Sequence, residues 1–403
     1  MALPPTYYDF VRKLRPFVAE LAEQDAQDLL AQPEPPETIH SVDDYDSRFA
    51  ECVEQVDMGI LEYAAKKTGM SLELLKPHLS SALPHARAEY ASLYATVNHE
   101  YHSLVNFALA GKKAFHFSDN LAEHLANTEI NLKAALIQLP FPTCLFTFTS
   151  RAVINAMHNI RGDAGRWAMN AVGLDYSAPV SAFLTVHPAG AGLPGRKLLI
   201  CAWHARLPDT SYLMLKRELY LGDDWTLEQA LRTDWETLTP DNLGIGLSVN
   251  VNDDTIVHQD DDTFYTDGLA FYRIILNAVL YLSSDQAELT TKVSPRREIE
   301  AKANEIASLP KRRKLLQTTG RYTALDYAEV GASVGPIVIK KGEAEGNAAG
   351  LGGSKPMVRF MVRGHWRRQP HGPESQERKL IWIRPHYKGP DLATTINKPY
   401  LVK

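Results

Sequence analysis

Two β-favouring runs separated by a Pro/Gly/Ser-rich break constrain this chain more than any other feature. The stretch Met357 to Lys388 reads MVRFMVRGHWRRQPHGPESQERKLIWIRPHYK. The break at Gln369 to Gln376 reads as a loop, and the runs beside it are rich in Val, Ile, Phe and Trp, so the stretch predicts a β-hairpin with a long connection. Successive residues of a strand point to opposite faces. In the first run Val358, Phe360, Val362 and Trp366 therefore share one face, and Arg359, Arg363, His365 and Arg367 the other. In the second, Ile381, Ile383 and Tyr387 form an apolar face, and Arg378, Trp382, Arg384, His386 and Lys388 a basic one.

A lone hairpin is marginal in water and needs a body to pack on. The chain has 403 residues, 45% hydrophobic and 23% charged, which excludes a disordered chain and suffices for two or three domains with their own cores. No stretch approaches the roughly 18 uninterrupted apolar residues of a membrane span, and the opening MALPPTYYDFVRKLRPF lacks the apolar core of a signal peptide. The expectation is a cytoplasmic protein with no membrane partner. Cys52, Cys144 and Cys201 are far apart and never form a CxxC pair, which argues against a disulfide framework and a structural zinc site.

The overall charge of -5 hides a strong asymmetry. From Thr291 onward there are 22 Lys and Arg against 10 Asp and Glu, a net of +12, so residues 1–290 hold 21 against 38, a net of -17. A basic end on an acidic body points to polyanion binding by the basic part. The bland alternative is that the two parts attract each other.

Read in order, the chain predicts an α+β protein in three parts. Residues 1–138 carry helical periodicity, for instance Phe10, Val11, Leu14, Phe17, Val18 and Leu21, in about five helices. Residues 139–290 mix short β-like runs, at Thr143 to Thr149, Val180 to His187, Lys197 to Ala205 and Ser211 to Leu221, with a helix through Leu227 and Leu231 and an apolar helix at Ala270 to Leu282. Few links there are long enough for crossover helices, so an antiparallel sheet is expected. Residues 291–403 form a basic, β-containing piece: a helix at Arg296 to Ser308, the cluster Lys311 to Lys314, a Gly/Ala-rich segment at 342–354 read as a mobile loop, and the hairpin.

Three stretches imitate sites. His99-Glu100-Tyr101-His102 puts two imidazoles on one helical face, but the zinc-protease pattern needs histidines four apart with the glutamate beside the first. Asn252 to Asp262 gathers aspartates around His258, yet adjacent aspartates cannot all face one ion, and a solvated acidic loop is the simpler reading. The Gly-rich Pro188 to Gly195 lies between two β-like runs without phosphate-loop spacing and reads as a hairpin loop. No metal and no cofactor is expected.

The run Arg363-Gly364-His365-Trp366-Arg367, then Gly372-Pro373, Arg378-Lys379 and Trp382-Ile383-Arg384-Pro385, resembles a C-terminal segment shared by a family of bacterial, plasmid and phage-associated proteins. That resemblance implies a mobile-element, phage-defence or toxin context and carries no catalytic residue across. The residues themselves predict RNA or single-stranded nucleic-acid binding. Arg359, Arg363, Arg367, Arg368, Arg378, Lys379, Arg384 and Lys388 would meet phosphates, and Trp382 would stack on unpaired bases. One alternative is metal-independent RNA cleavage, with His365 and His386 moving protons while an arginine holds the phosphate. Another is a docking module whose basic part meets an acidic protein partner.

Overall fold

The computed structural model describes residues 2–39, 50–77, 91–159, 177–189, 195–206, 211–222, 224–236, 261–340 and 360–388. The acidic stretch 252–260, the Gly/Ala-rich segment 342–354 and Arg359 lie outside them.

The architecture is mixed α+β, built on a seven-stranded sheet. Helices come first, among the described residues α1 (Tyr7–Leu14), α2 (Pro16–Leu30), α3 (Ala50–Thr68) and α4 (Ala91–Leu109), with a further helical stretch at 72–77 between the last two. The sheet is formed by β1 (Ala114–Phe117), β2 (Thr143–Phe148), β3 (Val180–Pro188), β4 (Arg196–Arg206), β5 (Ser211–Tyr220), β6 (Leu289–Lys292) and β7 (Tyr327–Val330). Its order is β5-β4-β3-β2-β1-β7-β6. The run from β2 to β5 is an antiparallel meander, whereas β1 pairs in parallel with both β2 and β7. The sheet thus takes strands from before residue 139 and after residue 291 as well as from between them. The expected hairpin around Pro188 joins β3 to β4, with the Ala189 amide donating to the Gly195 carbonyl at 3.1 Å.

Both faces of this sheet are covered, and the period of two along each strand sorts the side chains between two cores. Cys144, Phe146 and Phe148 of β2, with Leu198, Ile200 and Ala202 of β4, point to one side. There they meet α5 (Asp119–Ala126), α6 (Arg151–Asn159) and α8 (Asp261–Leu282), α7 (Leu227–Glu236) lying earlier in the chain on the same side. Leu145, Phe183, Leu199, Cys201 and Trp203 point to the other side, against the N-terminal helices. Ser118 caps α5 by accepting from the Leu121 amide at 3.3 Å, which turns the chain from β1 into a helix lying on the sheet.

The His99–His102 stretch belongs to the second core. Glu100, 1% exposed, accepts from the Tyr7 hydroxyl at 2.5 Å and from Arg15 Nε at 2.6 Å. Its carboxylate is thereby neutralised by a guanidinium inside the protein and joins α4 to the segment entering α2. Among the described residues, no group of three or more His, Cys, Asp or Glu side chains is placed to hold a metal. The three cysteines are buried and form no disulfide. No helix among the described residues is long and apolar enough to cross a membrane.

After β6 come α9 (Pro295–Asn304) and α10 (Leu309–Gln317). The N-terminus is laced to this part of the chain: Asp9 accepts from the Thr323 hydroxyl and the Ala324 amide, both at 2.7 Å.

Candidate nucleic-acid interface

The hairpin forms, and its register decides which side chains it offers. β10 (His365–His371) runs antiparallel to β11 (Glu377–Ile383), pairing His365 with Ile383 and continuing to His371 with Glu377. Beyond one joint the ribbon continues in step, with β9 (Phe360–Val362) pairing β12 (His386–Lys388). A short β8 (Ile339–Lys340) adds to β12 in parallel.

The joint is Gly364 opposite Arg384-Pro385. The Gly364 amide donates to the Asn127 carbonyl and its carbonyl accepts from the Glu129 amide, both at 2.9 Å, so the ribbon is stitched by backbone to the end of α5. A Cβ at Gly364 would stand 2.5 Å from Thr128 Oγ1, 2.8 Å from Pro385 Cδ and 2.9 Å from the Ile383 carbonyl oxygen. Only glycine allows that approach. At the far end the chain reverses through Gly372 and Glu374, both in the left-handed region.

The register also corrects the expected faces. Trp366 and Trp382 are direct cross-strand partners and share one face. Both are buried, at 8% and 2% exposed, and their rings lie 6.1 Å apart and near parallel within the core beneath α8. Trp382 also meets Tyr281 at 5.4 Å and His124 at 5.9 Å, each edge-on. Its indole therefore has no free face to offer a base. Burying an indole requires a partner for its N–H, and both have one: Trp366 Nε1 donates to Asn277 Oδ1 at 2.8 Å, and Trp382 Nε1 to Thr128 Oγ1 at 3.1 Å. Gln286 Oε1 accepts from the Trp382 amide at 2.7 Å.

Asn277 is the hub of this attachment. Fully buried on α8, it also donates to the carbonyls of Leu125 and Thr128 at 3.0 and 2.8 Å. One amide group thus ties α5, α8 and the ribbon together, with three hydrogen bonds made. Sequence reasoning passed over Asn277, Thr128 and Gln286. The available signal was a single amide inside the otherwise apolar run Ile274 to Leu282, where a buried polar group must find partners.

Beyond the tryptophans the ribbon keeps two ties to the body, Leu380 against the core and Lys379 on Asp285, while its guanidiniums face solvent. His365, Arg367, Arg368, His371 and Arg378 are exposed, as are Arg384 and Lys388 nearer the root; Arg363 and His386 are half-buried. Arg368 and Arg378 lie on the tryptophan-bearing face, paired across with Leu380 and Pro370. Arg367 and Lys379 lie on the opposite face. Arg367 Nη2 donates to Gln369 Oε1 at 2.7 Å. Lys379 bonds Asp285 of the body at 2.5 Å, holding that carboxyl below its usual range. The Arg384 guanidinium lies 5.6 Å from the Trp382 ring centre, a cation–π contact that closes the outer edge of the tryptophan pair. Burial lowers the pKa of His124 beneath Trp382, keeping it neutral. The two histidines once paired as candidate acid and base sit on separate ladders, His365 opposite Ile383 and His386 opposite Val362, on either side of the joint.

A family model described as AcrVA2-like, the anti-CRISPR type V subtype A2 family, matches residues 115–387, a span that runs from β1 into β12. No curated protein and no solved structure matches the chain.

Proposed function

The chain belongs to the AcrVA2-like anti-CRISPR family, and we propose that it acts against a type V CRISPR system, using the ribbon of residues 365–383 to engage nucleic acid of that system. RNA-guided effectors work on a guide RNA and a target DNA, so polyanions are within reach of any protein that blocks them. One observation carries the reading: a ribbon fastened at its root by two buried indoles presents Arg367, Arg368 and Arg378 to solvent. A structural hairpin would need the indoles but not the guanidiniums. Phosphate contacts by such side chains position a protein on a nucleic acid without reading its sequence.

A second reading is docking on an acidic protein surface of the effector. Its support is the Lys379–Asp285 pair, in which a ribbon cation already meets a carboxylate of the body.

The test is interference by a type V system against a transformed plasmid in cells expressing this protein. Wild type should restore transformation by orders of magnitude. A stably folded variant with Arg367, Arg368, Arg378 and Lys379 all replaced by Ala should lose most of that effect. Full inhibition by the variant would remove the ribbon from the mechanism, and no inhibition by wild type would remove the anti-CRISPR assignment itself.

A further inference from the structure

Resting on the reading that the ribbon engages nucleic acid, we infer that its ligand is duplex DNA, entered through the major groove, rather than a single strand. Single-strand binders combine a basic track with aromatic rings on which bases stack. Here both indoles of the hairpin are withdrawn into the core, and no Phe, Tyr or Trp occurs between Trp366 and Trp382. What the ribbon presents to solvent instead is guanidiniums, those of Arg367, Arg368 and Arg378.

Its dimensions and chemistry suit a groove. The ladder continues five residues past Trp366 to His371, a reach of roughly 17 Å at about 3.3 Å per residue. The B-form major groove is about 12 Å wide and 8.5 Å deep and admits a two-stranded β-ribbon. The corresponding groove of duplex RNA is deep and too narrow for side-chain readout. Cations stand on both faces, Arg368 and Arg378 on one, Arg367 and Lys379 on the other. A ribbon inserted edgewise would thus bring one pair toward each wall, where the two phosphate backbones run, with Lys379 exchanging its Asp285 partner for a phosphate. Glu374 and Glu377 sit at the turn, the part that would stand deepest and farthest from the phosphates. The root is fixed by Gly364 and the two indole hydrogen bonds, so little ordering cost falls on binding.

The experiment measures fluorescence anisotropy of the full-length protein with three labelled probes of equal length at one low salt concentration: duplex DNA, single-stranded DNA and duplex RNA. Duplex DNA should bind at least about tenfold tighter than either other probe. Methyl green, which occupies the major groove, should displace the protein where a minor-groove ligand does not. An Arg367→Ala/Arg378→Ala variant of unchanged melting temperature should lose about tenfold or more on duplex DNA. Equal or tighter binding of the single strand, or displacement by the minor-groove ligand alone, would overturn the groove assignment while leaving nucleic-acid binding intact. Absence of binding to all three, with an effector protein still captured through the ribbon, would overturn the underlying reading as well.

Discussion

Replacing Trp382 separates the two roles a hairpin tryptophan can play. In this fold its indole is 2% exposed, lies against Trp366 and Tyr281, and donates to Thr128. Truncating such a residue to Ala removes buried contacts and leaves a cavity, typically about 3–5 kcal/mol. The lost hydrogen bond adds about 1 kcal/mol at most, because Thr128 Oγ1 still donates to the His124 carbonyl at 2.8 Å. The expected loss for Trp382→Ala is therefore about 4 kcal/mol, a large share of the roughly 5–15 kcal/mol that stabilises a typical native protein. Trp382→Phe keeps a ring in the same slot but not the N–H, and should cost about 2 kcal/mol. Urea unfolding followed by circular dichroism gives both values, and hydrogen exchange of residues 365–383 shows whether the ribbon detaches before the body melts. A base-stacking role would give the reverse pattern, a loss of roughly 1–3 kcal/mol in nucleic-acid binding with stability untouched. An unchanged urea midpoint for Trp382→Ala would refute the buried register.

Three other outcomes follow from the same geometry. Gly364→Ala forces a Cβ against Thr128 and the Ile383 carbonyl, so thermal unfolding should show a loss of about 1–3 kcal/mol, and no loss would mean that the joint is not packed as described. Asn277→Leu strands the Trp366 N–H and the Thr128 carbonyl, while the Leu125 carbonyl keeps the Thr128 amide, and should destabilise by about 2–4 kcal/mol in urea titrations, more than an apolar replacement in an apolar helix otherwise would. His99 is held neutral by burial, its pKa pushed down from 6.5 to about 3. The unfolded chain takes up that proton near pH 6.5 and the folded one does not until about 3, so stability is present above 6.5 and falls as pH drops toward 3. His99→Gln should flatten that slope, and an unchanged pH profile would contradict it.

Much of the fold was legible because it follows local pattern. The β-like runs at Thr143, Val180, Lys197 and Ser211 are β2 to β5, and the apolar run at Ala270 is the buried end of α8. β1 was not legible: AFHF is four residues long in a helical context, and its parallel partners lie about 30 and more than 200 residues away. In the ribbon, alternation placed Trp366 on the buried face. It misplaced Trp382, because the two runs were each given an apolar face, Trp366 with the valines in one and Ile381 and Ile383 in the other, without the register that relates them. Cross-strand pairing of Trp366 with Trp382 puts two indoles, rather than two isoleucines, against the core. Larger rings bury more apolar area and, given N–H partners on Asn277 and Thr128, win that contest.

The most direct test of the ribbon's role is the salt dependence of duplex binding, because each phosphate neutralised by a protein cation contributes about -0.9 to the slope of log K against log salt concentration. Arg367, Arg368, Arg378 and Lys379 are the cations the ribbon carries beyond its tryptophan root. If they meet phosphates, replacing all four by Ala should make the slope shallower by about 3 to 4. Parallel lines for wild type and variant, at any absolute affinity, would contradict the assignment of this ribbon as the nucleic-acid contact.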